Sequence, residues 1–165
     1  MKPGEFRQIL ERFRRGALPG RNLYLWCGPL SQLSETIGTG PVAKMSVLEL
    51  PGITATASAD QTVRMLQTGL SDWIRSVIEG SPQRSIAVLY DLESLAHYKI
   101  GVERIYLDHA NDRRMTFLCA PLRTPAPEGL PTQLKYNPAA AQSFYRQLIS
   151  PSAVVEVEDH GASTD

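Results

Sequence analysis

The chain has 165 residues, enough for one domain with a sizeable core, and its 17 basic and 17 acidic side chains cancel. That balance removes any global electrostatic argument for binding DNA or anionic lipid and leaves only a local basic patch to consider. The two cysteines, Cys27 and Cys119, each end an apolar run and read as reduced core thiols, not a disulfide framework.

Met1 to Leu10 lacks the apolar centre of a secretory signal, and no apolar run approaches the length that spans a bilayer. The expectation is a soluble cytoplasmic protein with no membrane partner. Glu5–Arg15 sets Phe6, Ile9, Leu10 and Phe13 on one helical stripe, stopped by Gly16 and Pro19-Gly20. The opposite face carries Arg7, Glu11, Arg12, Arg14 and Arg15. Its plain reading is a solvated helix face; the sharper one is an anchoring patch for a nucleic acid or an acidic partner.

Asn22–Cys27 is a short apolar run ending at Gly28-Pro29 and reads as the first strand. Strand, Gly-Pro, then a short helix to Gly38 is the order of a phosphate loop, so Gly28, Pro29 and Ser31 are the candidate nucleotide-binding residues. A working loop, G-x-x-x-x-G-K-[ST], needs glycines to turn backbone N–H groups inward and a lysine to reach the β- and γ-phosphates. Counted from Gly28, those three positions hold Leu33, Ser34 and Glu35. The second glycine, the lysine and the hydroxyl are missing, and Glu35 adds negative charge where phosphate charge would lie.

Lys44–Leu50 reads as the second strand, closed by Pro51-Gly52. Ser58 to Gln61 resembles a capping box, and Val63, Leu66, Leu70, Trp73, Ile74, Val77 and Ile78 then recur at helical spacing as far as Gly80. Ser85–Tyr90 is a buried strand that delivers Asp91 and, two residues on, Glu93. Asp91 is either a helix cap or an acid that holds Mg²⁺ through water, and Glu93 is the catalytic candidate that orients an attacking water.

Val102–His109 reads as a further helix. In the polar loop that follows, Asp108, His109 and Asp112 fit no ligand spacing, so no metal site is expected there. Arg113 and Arg114 are the candidate partner-binding pair. Met115–Cys119 is a strand closed by Ala120-Pro121, and a proline-rich loop spans Arg123–Pro131. Gln133–Tyr136 is short and extended. Asn137-Pro138 opens a helix to Ile149, with Ala141, Phe144, Tyr145 and Leu148 facing the core. Ala153–Val157 is the last strand. Residues 1–158 are thus expected to form a single domain, with a disordered tail at 159–165.

The alternation predicts an α/β fold: a three-layer sandwich with a mainly parallel five-stranded sheet, P-loop NTPase-like. In that class the strand ending at Cys119 lies between those ending at Cys27 and Tyr90. The segments Leu23–Pro29, Val88–Leu95, Thr116–Pro121 and Leu134–Tyr136, with Tyr145, together resemble BrxF, the small P-loop family of BREX phage-defence operons. The resemblance runs over residues 5–157 and implies a P-loop scaffold whose partners are other protein subunits of the same operon. The absent lysine departs from that family's chemistry.

Three functions follow. The favoured one is a degenerate P-loop-like subunit that acts by binding partners in a phage-defence or DNA-modifying complex, with no hydrolysis and no resident cofactor. The second is an active ATPase using ATP and Mg²⁺, its lysine replaced by Lys44, Arg113 or a residue in trans. The third is an unrelated Rossmann-like domain for a small ligand. Nucleic acid as a partner has no support from net charge. His97, His109 and His160 stand in no catalytic order and read as incidental.

Overall fold

The apolar runs Asn22–Cys27 and Ser85–Tyr90 form strands β1 and β3 with the bounds their flanking turn residues set. In the computed structural model the described residues are 1–18, 22–38, 40, 42–50, 58–79, 84–102, 113–122 and 137–158. The other strands are β2 (Val42–Ser46), β4 (Arg114–Cys119) and β5 (Val154–Glu156). Among the described residues the helices are α1 (Pro3–Arg14), α2 (Leu30–Ile37), α3 (Ala59–Glu79), α4 (Glu93–His97) and α5 (Pro138–Leu148).

All four strand pairings are parallel, in the order β2-β3-β4-β1-β5. The strand ending at Cys119 therefore separates those ending at Cys27 and Tyr90, as expected. The order differs from that of the dinucleotide-binding Rossmann sheet, which places β1 beside β2. Parallel strands need crossovers, and the helices supplying them cover both faces. On one face Phe6, Leu10 and Phe13 of α1 and Leu33 and Ile37 of α2 pack on Trp26, Val88 and Phe117. On the other, Leu66, Leu70 and Ile74 of α3, Leu95 of α4 and Tyr145 of α5 pack on Leu25, Leu89 and Leu118.

Local signals explain the helix ends. Ser58 Oγ accepts from the Gln61 N–H and Gln61 Oε1 accepts from the Ser58 N–H, each at 3.2 Å, so the capping box forms. Asn137 Oδ1 accepts from the Ala140 N–H at 3.0 Å and opens α5. After α1, Gly16 takes φ +74°, which lets the Ala17 N–H reach the Arg12 carbonyl at 2.8 Å and closes the helix.

Several expectations are corrected. β2 stops at Ser46, because the Ser46 hydroxyl accepts from the Leu48 N–H at 3.2 Å and turns Val47–Glu49 into one turn of 3-10 helix. β5 starts one residue late, since Pro151–Ala153 is also a 3-10 turn. Leu148 points outward at 37% exposure while the next residue, Ile149, is buried in the core, and the polar Gln142 is buried too, its Nε2 donating to the Ala120 carbonyl at 2.7 Å. The expected elements within 103–112 and 123–136, and the tail at 159–165, lie outside the described residues. No helix among the described residues is long and apolar enough to cross a membrane.

Candidate functional site at the carboxyl edge of the sheet

Parallel strands point their carboxyl ends to one edge, and the candidate residues that follow β1 and β3 gather there. Gly28 and Pro29 follow β1, Asp91 and Glu93 follow β3, and Cys119 ends β4 between them. The Cys119 thiol donates to the Gly28 carbonyl at 3.5 Å and so joins the two halves. Burial pushes the Cys119 thiol up to about 12, helped by the negative charges of Asp91 and Glu93. Cys27 is likewise pushed up by burial to about 11. Both thiols are inert core groups, as expected.

The turn after β1 is only Gly28-Pro29, because α2 begins at Leu30. It is closed on itself: the Pro29 carbonyl accepts from the Trp26 indole N–H and the Leu33 N–H, each at 3.2 Å. A β-carbon on Gly28 would lie 2.6 Å from Val157 Cβ, so the glycine serves close packing against the end of β5. Pro29 has no N–H to offer. Ser31 lies exposed on the first turn of α2. A phosphate cradle needs a wider loop with inward N–H groups, and these residues do not form one.

Asp91 sits at φ +56°, a left-handed conformation that aspartate tolerates. Its Oδ2 accepts from the Ser46 hydroxyl at 2.5 Å, across the β2–β3 register in which Ser46 faces Tyr90. The residue capping α4 is Leu92, without a side-chain bond, so the helix-cap reading of Asp91 is corrected. Glu93 turns inward. Its Oε2 is buried and has no hydrogen-bond partner among the described residues. Burial raises its pKa first of all, and the charge of Asp91 adds to the shift.

A buried carboxyl whose folded pKa is raised penalises the folded state only where it ionises. Below the ordinary carboxyl range Glu93 is neutral in both states and the penalty vanishes; above its raised value the penalty is complete. Glu93→Gln is therefore expected to raise the thermal midpoint near neutral pH. The gain should disappear on acidification, as thermal melts across the acid range would show. A pH-independent effect would mean that Glu93 is solvated.

Arg113 and Arg114 are not at this site. They stand at the start of β4, on the amino edge, across the sheet from Asp91. Arg113 is exposed. Arg114 is 1% exposed, with Nε donating to the Val77 carbonyl at 3.0 Å and Nη1 to the Arg113 carbonyl at 2.9 Å. Its guanidinium ties the end of α3 to the sheet and is unavailable to a partner, so the partner-binding reading of Arg114 is corrected. Both faces of β4 are covered, so Arg114, its first residue, is buried, whereas Arg113 stands just before the strand.

Three groups at the carboxyl edge escaped the sequence reading. Ser46 is 45 residues from Asp91 and has no local signal. Gln142 and Arg146 are linked by a 3.0 Å bond at i, i+4, a spacing legible in the sequence. Arg146 forks onto Glu156, with Nη2 to Oε2 at 2.7 Å. Beside this fork an open cleft of about 580 Å³ lies between α1, α2 and β5, lined by Lys2, Arg7, Gln32, Glu35, Glu156 and Glu158 among others. Glu35 thus faces that cleft.

No protein-family model matches the chain, and a search of curated proteins returns no match.

Proposed function

We propose that this chain is a P-loop-like α/β subunit that has lost nucleotide hydrolysis and works by binding partners. The observation that carries the reading is the closed two-residue turn after β1, beside a retained acidic pair after β3, with β4 between them. The strand order supports a P-loop-like scaffold. The turn supports the loss of function, because phosphoryl transfer depends on preorganised positive charge and backbone donors around the phosphates. The setting in a phage-defence or DNA-modifying complex is supported by the sequence resemblance alone.

One observation favours the active enzyme as a second reading. Lys44 Nζ donates to Ser34 Oγ at 2.7 Å. Ser34 occupies the sequence position of the missing lysine, so an ammonium does reach that residue from β2. It does so in the second turn of α2, not at the Gly28-Pro29 turn.

The isolated protein is expected to hydrolyse ATP and GTP no faster than buffer, and to co-purify with a product of a neighbouring gene. Turnover that disappears in both Asp91→Asn and Lys44→Ala would overturn the proposal in favour of the enzyme. Asparagine is the informative change because it tolerates the left-handed backbone that alanine would strain.

A further inference from the structure

The cleft beside the Arg146–Glu156 fork is lined by charges of both signs. On the α1 side stand Lys2, just before the helix, and Arg7 within it; on the other side stand Glu35 of α2 and Glu158, which follows β5. Glu156 also lines the opening, but Arg146 already holds its carboxylate. Lys2, Arg7, Glu35 and Glu158 are all exposed, and among the described residues no ion pair joins the two sides. Pro3 and Gly4, in the first turn of α1, line the basic side, where the amino end of a helix adds to the attraction for negative charge. Trp26 and Val157 supply apolar surface to the same cleft. Its volume of about 580 Å³ lies within the range of small-ligand sites.

We propose that this cleft binds a zwitterion, with a carboxylate held by Lys2 and Arg7 and, on the same ligand residue, a cationic side chain held by Glu35 and Glu158. A free basic amino acid and the carboxyl-terminal basic residue of a peptide share that chemistry. The inference does not rest on the function proposed above. A polyphosphate would meet Glu35 and Glu158, and a polyamine would meet Lys2 and Arg7, so a ligand of one sign leaves one side of the cleft opposed to it. A ligand carrying both signs satisfies both sides, and its aliphatic stem lies along Trp26 and Val157.

The test is isothermal titration calorimetry of the full chain at low salt, where exposed charges are least screened. L-Arginine carries both groups, agmatine lacks the carboxylate, citrulline replaces the guanidinium with a neutral urea, and the tripeptide Ala-Ala-Arg presents arginine at a peptide's carboxyl end. L-Arginine is expected to bind at least about tenfold more tightly than agmatine or citrulline, the value of one charge-assisted contact. Arg7→Gln should bring L-arginine down to the affinity of agmatine without weakening agmatine. Glu35→Gln should bring it down to that of citrulline without weakening citrulline. Both substitutions are at exposed positions, and circular dichroism reports that the variants are folded. Binding of the tripeptide assigns the cleft to a peptide terminus; binding of L-arginine without it assigns the cleft to the free amino acid. Equal affinities for L-arginine, agmatine and citrulline, or no binding of either L-arginine or the tripeptide, would overturn the proposal.

Discussion

Phe6→Ala is expected to lower the stability of the protein by about 3–5 kcal/mol, the usual cost of emptying a buried aromatic site. Phe6 is wholly buried and stands edge-on to three rings: Tyr24 at 5.9 Å, Trp26 at 6.0 Å and Phe117 at 5.1 Å. It is the ring through which α1 grips the middle of the sheet. The rings it leaves behind belong to adjacent strands held by the β1–β4 ladder, so they cannot collapse into the space. Edge-on pairs add about 0.5–1.5 kcal/mol each beyond the buried area. Against a total stability of about 5–15 kcal/mol, the loss is a large fraction. Urea denaturation measures it as a lower midpoint at unchanged slope. A loss below about 1 kcal/mol would mean that α1 is not docked on this face.

Arg114→Ala is expected to cost a similar amount, about 3–5 kcal/mol, and more than Arg113→Ala, whose side chain is exposed. The two arginines are neighbours in sequence and opposites in environment. Arg114 sends its guanidinium under α3, and the Val77 carbonyl it holds is near the end of that helix, where carbonyls lack helical partners. Truncation leaves that carbonyl and a cavity together. Arg114→Lys should not restore stability, because an ammonium cannot replace the fork that reaches both Val77 and Arg113. The same denaturation series decides it: equal effects at both positions would place Arg114 on the surface.

How much was legible depended on how local each signal was. The bounds of β1 and β3 could be read because an apolar run and its turn residue are neighbours in the chain. The caps at Ser58 and Asn137 were legible for the same reason, since a cap bonds within three residues. The end of β2 was misread: Val47 and Leu48 look like strand, yet the Ser46 hydroxyl pulls the backbone into a tighter turn. Arg113-Arg114 was misread as a pair, because composition reports charge and not which residue opens a strand that is covered on both faces.

At the candidate site the division is similar. The place of Asp91 and Glu93 after a hydrophobic strand was legible, and the departures from the phosphate-loop motif at Leu33, Ser34 and Glu35 were visible by counting from Gly28. The Ser46–Asp91 bond, the Cys119 thiol against Gly28 and the inward turn of Glu93 were not, because each joins segments far apart in the chain.

By itself the sequence determined the alternation of strands and helices, the parallel α/β class and the absence of a phosphate-loop lysine, all of which are patterns within a few residues. Tertiary structure alone decided that Arg114 is buried, that Arg84 stands beside Arg113 on the amino edge, and that Val157 seals the turn at Gly28. Those outcomes depend on which segments pack together, and packing of non-local surfaces is set by burial of the whole core, not by the propensity of any one stretch.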